Sequence, residues 1–309
     1  MTGSTRFAVG SRLGDYIIDG DLAGGWNLEG YEATHVVLPR RAKLIVLDAA
    51  LADHAPAAVQ LMREACLLDA MAHPGVPRVF GCGVVARRPW IACELIEGTP
   101  LSEQLASGRA LPVHDVLALL RDAAEVLEHA HRRGVVHRNL RPEVLVRTRG
   151  RAFPLCITGW SDARLHDAEA ALIDLRDDVL ALGTVAFTAL TGARPCDELS
   201  ATERCPGAPR KLTRLIDRML AEDPEARPSC AEVRAIAMDV LELTEVEMPV
   251  EDDQLIEVVS VELVDISHLP PPVPTGPAAR KSRWTPAHGH IITPPQPLAA
   301  IQLARKPNR

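Results

Sequence analysis

The apolar pattern of this chain changes period once, close to residue 100, and that change limits what it can fold into. Before it, Tyr16–Leu22, Gly30–Val37 and Lys43–Leu47 are β-rich runs joined by Gly or Pro turns, and Val84–Ala86 and Trp90–Ile96 return to the same pattern. One helix interrupts them: Pro56 to Met71 carries apolar residues at 58, 59, 61, 62, 65 and 68, a helical spacing. From Leu101 onward, Val113–Arg132, Asp177–Thr191, Lys211–Leu220 and Ser229–Thr244 show stripes of helical period, the last opened by Pro228 and Ser229. A small β-rich lobe followed by a helical lobe leaves a cleft between them, a natural place for a ligand. Only ten of the 309 residues are aromatic, so both cores have to be aliphatic.

Near residue 245 the composition shifts. Glu245 to Asp265 holds eight acidic residues and no basic one; Ile266 to Arg309 holds six Lys/Arg, no acid and ten prolines. Proline fixes φ and has no N–H, so Pro270-Pro271-Pro272-Val273-Pro274 is extended or turn. The 266–309 stretch reads as a mostly disordered basic tail behind an acidic junction, 245–265, in which 255–264 could form one strand or short helix. Trp284, among Arg280, Lys281 and Arg283, is a candidate peptide anchor in that tail. His288 and His290 lie there too, where solvation is the default and metal binding the exception.

A net charge of −7 argues against nucleic acid or an anionic membrane as partner. Seven cysteines (66, 82, 93, 156, 196, 205 and 230) form no CxxC and no cluster with histidine, which fits a reducing cytoplasm and no metal site. The N-terminus lacks an apolar signal core, and no apolar run approaches the ~20 residues needed to span a bilayer. The expectation is a soluble, cytoplasmic chain without a membrane span. Arg40-Arg41 and Arg132-Arg133 read as solvated turns.

The most specific string is His129 to Val146, HAHRRGVVHRNLRPEVLV. It resembles the catalytic-loop region of bacterial eukaryotic-like Ser/Thr protein kinases, where the family reads HRDLKPxN. Other landmarks of that family follow in register. Leu67 to Val76 resembles the stretch after helix αC and places Glu64 as its glutamate; Cys93-Glu94-Leu95-Ile96-Glu97-Gly98 resembles the hinge; Asp178 to Gly192 resembles helix αF; and Leu220 to Pro228 resembles the late "DPxxRP" signature. The resemblance covers about residues 14–244. It implies a bilobal α+β fold with an N-lobe at 14–97 and a C-lobe at 98–244, behind an N-terminal extension, 1–13.

The chemistry that the resemblance implies can be checked position by position. Phosphoryl transfer needs metals, phosphates and the attacking hydroxyl held in line. The catalytic-loop acid falls at Asn139, whose carboxamide has no basic site near neutral pH. The loop lysine is Arg141, and the asparagine for the second Mg²⁺ is Val144. Aligning the "AR" of Ala163-Arg164 puts Gly159-Trp160-Ser161 at the DFG motif, with Gly159 for the metal-binding Asp and Asp162 three residues late. The glycine-rich loop aligns as Ala23, Gly25 and Leu28, so one glycine survives and Trp26 and Leu28 are expected to fill the phosphate space. The strand lysine falls on Ile45; Lys43, two residues earlier, shares its strand face and could replace it. Between 162 and 177 no "GTxxYMAPE"-like string stands, so Arg227 has no identifiable glutamate partner. Glu64 is either the helix glutamate of the cleft or an ordinary helix residue, exposed or paired with Lys43 or an arginine.

What remains is structural: His137 and Arg138 for the loop's shape, Asp178 to cap its backbone, Arg227, and Leu68, Phe80, His137 and Trp160 as a stacked spine. The implied protein is a pseudokinase with no catalytic residue and no metal, a regulatory or scaffolding module for protein partners such as an active kinase or its substrate. A nucleotide site is implied at Ala23, Gly25, Lys43, Glu64, Glu94 and Ile96, able to take ATP without Mg²⁺. Two alternatives stand beside this reading: an atypical, weakly active kinase, and a nucleotide sensor that does not hydrolyse.

Overall fold

A computed structural model describes residues 6–25, 27–165, 175–196 and 199–247. All of them belong to one contact unit, Met1–Glu251; the other, Asp252–Arg309, lies outside the described residues. So do Trp26, the 248–265 part of the acidic junction, Trp284, His288 and His290.

The small lobe is a six-stranded antiparallel sheet formed by β1 (Arg12–Leu13), β2 (Tyr16–Leu22), β3 (Leu28–His35), β4 (Arg41–Leu47), β5 (Val79–Val85) and β6 (Arg88–Glu94), in the order β1-β2-β3-β4-β6-β5. Alternation along β4 sorts its side chains. Ala42, Leu44 and Val46 face a core inside the curled sheet with Leu13, Tyr16, Tyr31 and Trp90, and Lys43 and Ile45 face the other way. Helix α1 (Ala55–Met71) packs on that other face, with Pro56 in its first turn and Ala72 left-handed at its end.

Two sequence expectations are corrected in this lobe. Val84–Ala86 is not a strand of its own: β5 runs Val79–Val85, and Ala86 and Arg87 form the turn to β6, both with positive φ. Two positive φ values are what a two-residue hairpin turn of the primed type needs, and neither residue advertises it. Phe80 is not in the spine. A register shift between Val79 and Gly81 sends Val79 to the large core and Phe80 to the core inside the curled sheet, beneath the Arg40 guanidinium at 4.5 Å. The N-terminal extension is tied to this lobe: the Phe7 N–H donates to the Tyr31 hydroxyl at 3.0 Å and β1 joins the sheet.

Beyond β7 (Gly98–Pro100) the chain is mainly helical: α2 (Leu101–Leu105), α3 (Val113–His131), α4 (Arg176–Thr191), α5 (Ala201–Arg204), α6 (Arg210–Met219) and α7 (Cys230–Glu247). Four short strands carry the loops of the cleft: β8 (Val135–Val136), β9 (Leu145–Thr148), β10 (Leu155–Ile157) and β11 (Arg164–Leu165). The helices share a core of Leu, Val, Ile and Ala in which Trp160 and Phe187 are the large buried aromatics. Arg227 does find an acid there. Its guanidinium reaches Asp177 at 3.4 Å and donates to the carbonyls of Ala221 (2.9 Å) and Glu222 (3.1 Å).

Candidate active site: the cleft between the lobes

The loop joining β8 to β9 is built over one carboxylate. Asp178, 1% exposed near the start of α4, accepts the His137 and Arg138 N–H groups at 2.8 Å each and His131 Nε2 at 2.9 Å. Burial alone would push its pKa up, but the His131 hydrogen bond and the loop amides hold it below the usual carboxylate range. Arg138 adopts a positive φ of 66°, a conformation that its bond to Asp178 helps to hold.

His137 is fully buried and donates from Nε2 to the Thr158 carbonyl at 2.9 Å, since a carbonyl can only accept. Its Nδ1 therefore accepts the Asn139 N–H at 3.2 Å, and the ring is neutral, with its pKa lowered by burial. The ring stands edge-on to Trp160 at 4.5 Å. Cys230 Sγ lies 3.6 Å from His131 Nδ1, so thiol, imidazole and carboxylate stand in the order of a nucleophilic triad. Burial pushes that thiol far up and denies it access, which makes the trio a tie between helices.

Above this base lie the positions where metals and a general base would be needed. Asn139 Nδ2 donates to Asp162 at 2.8 Å, and Asn139 Oδ1 accepts from Arg141 at 3.3 Å. Arg141 also pairs with Glu143 at 3.4 Å. Val144 is 4% exposed, and its backbone carbonyl accepts from Thr158. Gly159 has φ 76°; a Cβ there would meet Val144 Cγ1 at 2.8 Å. Neither Val144 nor Gly159 offers a ligand atom from its side chain, and Asp162 is turned to Asn139. This donor set does not fit the pair of Mg²⁺ ions that ATP-dependent phosphoryl transfer uses.

The cleft itself holds a cavity of about 310 Å³. Lys43 and Ile45 line it together, as strand alternation requires, opposite Glu64, Gly159 and Trp160. Glu64 is 7% exposed, so it is a cleft residue and not an exposed one. Burial raises its pKa to about 7; Lys43 opposes the rise and Asp162 adds to it. Gln60, one turn earlier on α1, donates to the Ser161 carbonyl and ties the helix to the loop. Cys93, paired with Lys43 across the strands, is a wall thiol pushed up to about 12 by burial.

At the hinge, Leu95 and Ile96 line the cavity. Glu94 lines it with them, and its carboxylate is engaged by Arg151 and Arg78, which hold it below its ordinary range despite partial burial. The loop between β2 and β3 differs from expectation. Gly24 is the position that tolerates no side chain, because a Cβ there would fall 1.8 Å from the Leu28 carbonyl oxygen. Gly25 has room, its carbonyl accepts the Leu28 N–H at 3.2 Å, and Leu28 packs toward the large core. Ala23 lines the cavity.

Comparison with known proteins agrees with this architecture. Residues 40–162 match the sequence model of the family described as protein tyrosine and serine/threonine kinase. Serine/threonine-protein kinase Pkn1 of Myxococcus xanthus is 28% identical over 258 residues, covering 71% of this chain and 37% of its own length. Serine/threonine-protein kinase PknL of Mycobacterium bovis is 30% identical over 215 residues, covering 62% of this chain and 53% of its own. The chain thus spans between about a third and a half of the length of these curated relatives. The crystal structure of the Mycobacterium tuberculosis PknI kinase domain superposes with a TM-score of 0.61 at 26% identity, covering 78% of this chain and all of that domain. Among the described residues no helix is long and apolar enough to cross a membrane. The folded unit has the protein-kinase fold and is similar in sequence to bacterial serine/threonine protein kinases.

Proposed function

We propose that this chain is a catalytically impaired kinase, a regulatory or scaffolding module that works by binding proteins. The observation that carries the reading is the Asn139–Asp162 hydrogen bond at 2.8 Å. At the position of the general base stands a donor, and it occupies the carboxylate of Asp162, three residues after the missing metal ligand at Gly159. A lost base lowers rate by about 10²–10⁴, and the losses at Val144 and Gly159 remove the electrostatic stabilisation that remains. Binding would then act by shifting a partner between conformers, with no chemical step. Partners of the kind expected are an active kinase or its substrate.

Incubating the full chain with labelled ATP, Mg²⁺ or Mn²⁺ and generic protein acceptors tests this reading. A blank supports it. Label transfer that disappears on Lys43→Ala or Asp162→Ala would replace it with an atypical kinase, the activity that the relatives' names carry.

A second reading, a nucleotide sensor, is favoured by the cavity of about 310 Å³, which keeps Lys43, an apolar wall and the Leu95–Ile96 hinge. A ligand at 100 times its dissociation constant stabilises its host by about 2.7 kcal/mol. A melt of the chain with ATP, with and without Mg²⁺, separates the cases. A metal-independent shift supports the sensor, and no shift removes it.

A further inference from the structure

The turn that follows α1 joins that helix to the helical lobe, and it is built around one histidine. His73 Nδ1 accepts the Gly75 N–H at 2.9 Å, and its carbonyl accepts the Val76 N–H at 2.9 Å. Two more carbonyls of the turn are tied to other elements. Pro74 accepts from Arg151, and Gly75 accepts the Ile157 N–H of β10 at 2.8 Å. Ile157 leads directly into Thr158, Gly159 and Trp160, which line the cleft.

Geometry fixes the His73 ring as neutral. The Gly75 N–H can only donate, so Nδ1 has no proton and Nε2 carries it. The neighbouring His129 is held in the same form: its Nε2 donates to the Met71 carbonyl, and its Nδ1 lies 3.4 Å from the Arg133 guanidinium, which can only donate. The two rings are 4.7 Å apart, and Phe153 stands edge-on to His73 at 5.2 Å. A second proton on His73 would set two donors against each other at Gly75. The turn has little slack to absorb that, since even a Cβ on Gly75 would fall 2.3 Å from Val126 and 3.1 Å from Phe153. Turning the ring away breaks the same bond.

The surroundings favour the neutral ring. Burial lowers its pKa most, and His129, Arg133 and Arg132 lower it further. Glu125 of α3 opposes them with a carboxylate 3.9 Å from Nε2, but Arg234 of α7 already holds that group at 3.4 Å. On its other side the ring lines a cavity of about 530 Å³ with Asp69 of α1 and with Arg78, Glu94 and Arg151, where both arginines pair with Glu94. We propose that His73 is an acid-released latch: protonation of its ring unties the 73–76 turn from α3 and β10 and loosens the C-terminal end of α1. The latch is complete above the ordinary histidine value of about 6.5 and is lost as pH falls through the lower folded one.

Hydrogen exchange of the full chain between pH 7.5 and 4.5, read as protection relative to the unstructured rate at each pH, tests the latch. In the parent, the Gly75 and Ile157 amides are expected to lose protection by about tenfold per pH unit below the folded pKa, the slope for uptake of one proton. His73→Asn keeps an acceptor near the place of Nδ1 and cannot titrate, so its protection at those amides is expected to stay level. Amides inside α4 are expected to stay protected in both proteins. Glu125→Gln removes the carboxylate that favours a charged ring and is expected to move the loss to lower pH. Protection that holds in the parent down to pH 4.5, an equal loss in His73→Asn, a loss shared by α4, or a shift to higher pH in Glu125→Gln would overturn the latch.

Discussion

The loop from His137 to Val144 has a buried side and an open side, and they are held together in different ways. On the buried side one carboxylate, Asp178, meets three donors at 2.8–2.9 Å, and His137 spends both ring nitrogens on backbone atoms. On the open side Asn139, Arg141 and Asp162 hold one another through exposed bonds of 2.8 and 3.3 Å. Buried charge-assisted bonds cannot be dropped one at a time, because each loss strands a desolvated partner. Exposed ones exchange with water at little cost. Under the proposed binding role the open side is free to change, whereas the buried side is fixed by the need to fold.

The strongest challenge to that contrast is Asp178→Ala. Breaking a buried charged cluster by removing one member costs roughly 3–5 kcal/mol, read as a drop in the denaturant midpoint at neutral pH. The folded carboxyl is held below its ordinary pKa, so its contribution is present above the unfolded value of about 3.9 and fades as pH falls through the folded one. Parent and variant are expected to converge in acid. A gap that persists unchanged below both pKa values would mean that the cluster acts by packing alone.

Glu64 gives the opposite sign in the same cleft. Its folded pKa is raised from 4.5 to about 7, so the favourable, protonated state is complete below the unfolded carboxylate range and is lost as pH rises through about 7. Glu64→Gln stays neutral throughout. At pH 8 the variant is expected to be more stable than the parent by roughly 3 kcal/mol, with little difference at pH 4. Melts across that window decide it, and a parent that is the more stable at pH 8 would show that the Lys43 charge outweighs burial.

How much of this was legible beforehand follows the same division. Asp178, His137 and the order of strands and helices could be read from periodicity and motif, because buried positions constrain residue type. Lys43 was readable as a cleft residue only through strand alternation, which places it with Ile45. Phe80 was misread because a one-residue shift in β5 reverses its face; the signal was Gly81, a strand-interior glycine at the shift itself. The Asp177 partner of Arg227 and the Arg151 clamp on Glu94 are 50 and 57 residues away in sequence, beyond the reach of any local pattern.

Val144 and Gly159 offer a sharper test because they touch. Gly159→Ala places a side chain at φ 76° and 2.8 Å from Val144 Cγ1. Left-handed backbone costs an L-residue about 1–2 kcal/mol, and the contact adds to that. Val144→Ala removes the obstructing methyls at its own cavity cost, so in the double variant the contact penalty disappears. A coupling of about 1 kcal/mol in a double-mutant cycle is expected. Strict additivity would mean that the loop moves aside and that position 159 is freer than its geometry suggests.

The smallest effect on stability, and the most direct one on function, comes from Asn139→Asp. The change restores a carboxylate at the base position but sets it against Asp162, where a hydrogen bond at 2.8 Å now stands. Both groups are exposed, so the repulsion is worth about 1 kcal/mol or less and weakens with salt. A base without metal ligands still lacks the charge that a transferring phosphoryl group requires, since Val144 and Gly159 remain as they are. Labelled ATP is expected to give the same blank with this variant as with the parent. Transfer gained from this one substitution would mean that Asp162, released from Asn139, can hold a metal, and that the chain is a kinase lacking only its base.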